Sequence, residues 1–140
     1  MASAEEIRAA IKDGNAALRA AIEGAGAKWE QSPAPEAEGE ESWSPRQAAE
    51  HVIATHFFFA SRTAQVLERS GPEPQQPSLA SAEEALTALS EAAESGDDVY
   101  AQLADADLSR EAGRMGTLGE LLAIASSHLS DHAKQIEAAS

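Results

Sequence analysis

The chain of 140 residues contains no cysteine. That absence excludes disulfides, a thiolate nucleophile and any zinc site built on sulfur, so a metal would have to be held by nitrogen and oxygen. Basic residues are also scarce: 10 Lys and Arg stand against 24 Asp and Glu, a formal charge of −14. Such a chain repels phosphate backbones and anionic lipid surfaces, and no basic stripe offsets the repulsion. Nucleic acid is not an expected partner. No apolar run approaches the roughly 18 residues that cross a bilayer, and the start MASAEEIRAA has neither the basic nor the apolar region of a signal peptide. A soluble, cytoplasmic protein without membrane association is expected. There is no alternation of period two long enough for a sheet, no internal repeat beyond helix periodicity and no glycine-rich phosphate cradle.

What remains is helical, and the length suits one domain spanning residues 1–140. The capping pattern S/T-x-x-E/Q occurs at Ser3/Glu6, Ser44/Gln47, Ser81/Glu84 and Thr117/Glu120, and the second is followed by Pro45 at the first helical position. Four starts predict four helices, hence an all-α four-helix bundle. In the first, Ile7, Ile11, Leu18 and Ile22 share a face; in the third, Leu86, Leu89, Ala93, Tyr100 and Leu103 do so. Stretches rich in proline, glycine and acid separate the helices. The first, GAGAKWEQSPAPEAEGEES, is either a crossover between helices that are not antiparallel neighbours or a surface excursion.

The fourth helix places imidazoles in its apolar stripe. In SSHLSDHAKQI, His128 and His132 fall among Leu118, Leu121, Leu122, Ala125, Leu129 and Ile136. Residues four apart differ by only about 40° around a helix axis, so the two rings can converge on one ion. The same spacing also suits two half-buried seam residues satisfied by hydrogen bonds, and a metal site needs a third ligand. The second helix offers one. With His51 as the reference direction, Ala48, Val52, Thr55, Phe58, Phe59 and Val66 fall on its side, which points His51 inward. His56 is displaced from it by about 140°, towards the flank, and reads as structural or surface rather than as a ligand.

These residues resemble the DinB-like (DinB/YfiT-like) metalloenzyme family. The resemblance rests on Trp43 and Ser44 followed by His51, and on a late H-x-x-x-H-x-x-Q-I made by His128, His132, Gln135 and Ile136; with the length and helix layout it covers nearly the whole chain. It implies an up-down-down-up bundle, frequently a homodimer, in which His51, His128 and His132 bind a divalent metal ion, zinc or nickel. Several relatives use a low-molecular-weight thiol, mycothiol or bacillithiol, as cofactor or co-substrate in isomerisation or S-transfer. The chain departs from the family where Gln47, Ala48 and Ala49 replace a larger aliphatic pair and an acidic residue, which weakens any inference about the ligands' supporting groups.

Three neutral imidazoles would leave such an ion with its charge and at least one open coordination position, the arrangement of a catalytic rather than a closed structural site. Water or a thiol there gives a nucleophile, with proton competition expected near the ordinary imidazole pKa of about 6.5. A metal-dependent enzyme acting on a small-molecule electrophile is therefore one expectation; a non-catalytic, metal-stabilised bundle serving as a stress-related binding module is the other. No catalytic residue is assigned: Glu50 and Asp131 point towards solvent, and Glu120 offers nothing more. Gln47 and Gln135 are placed either to orient a ligand's distal N–H or to act as a cap and a seam residue. Trp43 reads as a hydrophobic staple over the helix start. Ile53 and Phe57 are expected to form a second apolar face on helix two, covered by a twofold partner.

Overall fold

Each predicted start opens a helix. In the computed structural model, which describes residues 2–140, α1 runs Ala4–Gly24, α2 Pro45–Val66, α3 Ala82–Tyr100 and α4 Leu118–Ala139, with no strand among the described residues. At all four, the cap hydroxyl accepts the backbone N–H three residues on. The reciprocal half forms only twice: Glu6 and Gln47 accept the N–H of Ser3 and Ser44. Glu84 and Glu120 instead accept the cap hydroxyl's own proton, from Ser81 at 3.4 Å and Thr117 at 3.3 Å. A hydroxyl can donate once while accepting on its lone pairs, so this arrangement also satisfies the carboxylate.

The order of packing around the bundle is α1, α4, α2, α3, which leaves α1 diagonal to α2 and α3 diagonal to α4. Directions follow from side-chain partners. Ile7 and Ala10 of α1 share a groove with Gly119 and Ala123 of α4, and Gly14 lies further along against Leu129, so α1 and α4 run parallel. Asn15 and Ile11 face Tyr100 and Asp97, while Arg19, further on, bonds Ser90, so α1 and α3 are antiparallel. Gly96 packs on His56, and His51 faces the end of α4. The bundle is therefore up-down-down-up, as the resemblance implied. The first connection, 25–44, crosses a diagonal, and the second, 67–81, spans the bundle's length between parallel helices. Both are gripped at Leu79, whose N–H donates to Glu50 Oε2 at 2.8 Å and whose carbonyl accepts from Trp29 Nε1 at 2.8 Å. Glu50, expected in solvent, is thus half-buried and holds a loop.

The apolar face of α1 is buried as predicted. That of α3 is rotated towards Ala85, Leu89, Ala92, Gly96 and Val99, leaving Leu86, Ala93 and Leu103 partly covered. Small residues win these positions because helices approach closely there. A Cβ on Gly96 would lie 3.1 Å from His56 Cε1, and one on Gly14 would lie 2.9 Å from Leu129 Cβ. Helix α2 requires the larger correction. Its centre of burial is Ala49, Val52, Ile53, His56 and Ala60, so His56 is a core residue and not a flank residue. Its Nε2 meets Asn15 Oδ1 at 2.8 Å, which supplies the partner that a buried imidazole needs. Ile53 and Phe57, the predicted second face, are core as well, while Phe58 is 39 % exposed.

Candidate metal centre

His51 stands in the second turn of α2, His128 at the middle of α4 and His132 one turn further on; because those helices are antiparallel neighbours, residues 77 apart in sequence meet. Their Nε2 atoms converge. His51 Nε2 is 3.2 Å from His128 Nε2, which is 3.1 Å from His132 Nε2, and one ligand atom from each lies within 4.8 Å of the others. His132 is buried and the other two are half-buried. The three residues read from the sequence are thus brought together, and His56, held by Asn15, is not among them.

The outer nitrogens decide what the inner ones can do. Thr55 Oγ1 donates its only proton to the Val52 carbonyl at 2.8 Å, so its 3.0 Å contact with His128 Nδ1 requires the ring nitrogen to donate. Gln135 Nε2 donates to the Glu40 carbonyl at 2.6 Å, which turns Gln135 Oε1 towards His132 Nδ1, also at 2.6 Å, and that nitrogen must donate too. Each neutral ring then has its proton on Nδ1 and a bare lone pair on Nε2. Two lone pairs facing each other at 3.1 Å repel unless a cation lies between them. Metal–nitrogen bonds of 2.0–2.1 Å in a tetrahedron give an edge of about 3.3 Å, close to both observed separations. Donor type, tautomer and spacing all fit a divalent ion.

Burial lowers the His51 pKa below its ordinary value, and a charge on His132 adds to the effect. For His128 the same causes, burial first and then His132 and His51, bring it down to about 4. Both rings therefore stay neutral, and able to donate a lone pair, further into acid than the ordinary value of 6.5 would allow.

Other residues fall differently from their sequence reading. Trp43 does not merely cover the helix start: its ring centroid is 5.0 Å from that of His51 and 6.2 Å from that of His132, nearly parallel to the latter at 16°. Gln47 is the capping amide; Gln135 holds the His132 ring through its Nδ1. Asp131 is exposed. Thr55 was not singled out, although it lies one turn beyond His51 on the same face, the position from which a side chain can reach the site. Glu40 also went unread, because nothing in the periodicity of a helix predicts where a loop residue lands. Two clefts meet the cluster. One, of about 550 Å³, lies between α2 and residues 74–77, beside His51, Thr55, Trp43 and Phe58. The other, of about 450 Å³, has an acidic rim of Glu40, Glu41 and Asp131 beside His128 and His132.

No curated protein and no solved structure matches the chain. The family model described as the DinB superfamily matches residues 10–136, a span that contains all three histidines and the residues that orient them.

Proposed function

The chain belongs to the DinB superfamily, and from that premise we propose that His51, His128 and His132 hold one divalent ion, zinc or nickel, in an enzyme that attacks a small electrophile with a low-molecular-weight thiol or with water. The observation that carries the reading is the pair of Nε2 atoms 3.1 Å apart, each on a ring whose far nitrogen is turned to a hydrogen-bond acceptor, so that the neutral rings aim their lone pairs at one another. Bound with an open position, such an ion makes a nucleophile at neutral pH, from water whose pKa falls from 15.7 to about 7 or from a deprotonated thiol. The protein's own part is orientation and shelter. Thr55 and Gln135 lock two ligand rings, Trp43 covers two, and the larger cleft beside His51 offers apolar walls from Trp43, Phe58, Pro74 and Pro77 with amides from Gln75 and Gln76. No cationic side chain lines that cleft and the carboxylate of Glu50 does, so it suits neutral substrates and a thiol without a strongly anionic group, such as mycothiol, better than the dicarboxylate bacillithiol.

The test is conjugation by the metal-loaded protein of an electrophile panel with mycothiol, bacillithiol or glutathione. Acceleration should disappear on chelation and in His128→Ala. Hydrolysis without any thiol that still needs the three histidines would keep the enzyme and change its nucleophile. A loaded protein inert in both assays would leave a metal-stabilised binding module. The reading also includes a homodimer. Ile53 and Phe57 lie in the core, so among the described residues Phe58 and Ile124 are the exposed large apolar side chains it has to offer. Light scattering should give twice the chain mass, and a monomer throughout the micromolar range would remove this part of the reading.

A further inference from the structure

A fourth donor stands beside the histidines, and it comes from neither ligand helix. Glu40 lies in the short 3-10 turn Gly39–Ser42 of the connection that crosses from α1 to α2. Its Oε1 is 3.4 Å from His132 Nε2. In the neutral ring that nitrogen carries the lone pair, because the single proton is committed to Gln135 on the other side. An ionised carboxylate has no proton to offer either, so oxygen and nitrogen meet as two acceptors. The conflict is the one already found between His128 and His132, and a cation shared by both atoms resolves it in the same way. A separation of 3.4 Å is also about the edge of a tetrahedron of nitrogen and oxygen donors with metal bonds of 2.0–2.2 Å.

Two further features single out Glu40. Its backbone carbonyl accepts from Gln135 Nε2, so the amide that sets the tautomer of His132 also fixes where the Glu40 backbone stands. Its side chain lines the same cleft as His128 and His132. The side chain itself is 62 % exposed, and its oxygen is not part of the close group formed by the three ring nitrogens. The backbone is therefore registered to the site while the carboxylate can swing into it or away.

We propose that Glu40 is a fourth, displaceable ligand, which completes the shell of the resting protein and gives up its place to an incoming small molecule. The inference rests on the trihistidine metal reading and adds to it the occupant of the open position. It also halves the net charge left on the site, since one carboxylate against a divalent ion leaves +1 where three imidazoles alone would leave +2.

Glu40→Gln tests it, with Glu41→Gln as the control, because Glu41 is the next residue in the same turn, lines the same cleft and loses the same charge. Cobalt(II) is the probe, its affinity measured by competition with a chromophoric chelator and its coordination by visible absorption. Glu40→Gln should bind cobalt about 10-fold or more weakly, the scale set by loss of a supporting group at a metal site. Its absorption should change in intensity and band position, and added thiol should perturb the spectrum at lower concentration than in the wild type. Glu41→Gln should resemble the wild type in all three respects. Equal, small losses of affinity in both variants, or an unchanged Glu40→Gln spectrum, would reduce Glu40 to general electrostatics and overturn the inference while leaving the histidine site intact. A wild-type protein that takes up no cobalt, zinc or nickel would overturn both readings at once.

Discussion

His128→Ala should abolish stoichiometric metal binding. Its Nε2 is the middle atom of the cluster, 3.2 Å from one ligand nitrogen and 3.1 Å from the other, so its loss leaves two imidazoles on different helices with no donor between them. Losing a group that merely supports a ligand costs 10–100-fold in affinity, and losing the ligand itself should cost more than about 100-fold. His51→Ala and His132→Ala should behave alike. His56→Ala is the informative contrast, because that ring is buried against Asn15 and Gly96. It should keep its metal and lose stability instead, by about 1–3 kcal/mol for the orphaned polar partner alone. Elemental analysis after gel filtration, with chelator competition for affinity, separates the two outcomes. Full metal content in His128→Ala would remove the site as described.

Chelation should lower the melting temperature, and acid should lower it further. An ion that binds only the folded chain, present at 1,000 times its dissociation constant, stabilises it by about 4 kcal/mol. For a chain of this size that corresponds to a shift on the order of 15 °C. The chelated protein has a second dependence. His51, His56 and His128 all have folded pKa values below the ordinary 6.5, burial being the first cause in each case. The folded state therefore binds fewer protons than the unfolded chain. Stability is whole above the unfolded value and drains away as the pH falls from 6.5 towards about 4, where His128 finally takes its proton. In the loaded protein protons must also displace the metal from His51 and His128, so the gap between loaded and chelated samples should narrow in acid. Thermal melts by circular dichroism, with excess zinc or with chelator, give both quantities. Identical melting at neutral pH with and without chelator would count against a bound ion.

The histidine cluster was legible because two separate regularities agree on it. The spacing of four puts His128 and His132 on one face, and that face is the same stripe that carries Leu121, Leu122 and Leu129 into the core. Helix α2 was harder. Ala, Val, Ile and three consecutive Phe make it apolar nearly all round, so choosing His51 as the inward direction and choosing His56 fit the pattern about equally. Packing placed His56 at the centre, where Gly96 leaves room for a ring, and His51 at the rim, where a ligand can meet both an ion and a cleft. The helix starts were readable from local chemistry, but the reciprocal half of two caps depended on a hydroxyl's rotation. The route of 25–44 across the diagonal, and with it the position of Glu40, depends on which helices pack together. No local pattern in the loop carries that information.

Trp43 gives the protein an optical gauge of its own. An indole whose ring is 5.0 Å from the His51 imidazole and stacked at 6.2 Å on that of His132 lies within the range at which a neighbouring positive charge or an open-shell ion drains its excited state. The other tryptophan, Trp29, is 5 % exposed and tied through its ring N–H to the Leu79 carbonyl, so its emission supplies a steady background. Proton uptake by the rings, and the arrival or departure of any ion they hold, should thereby be written into the fluorescence of one residue, without any added label.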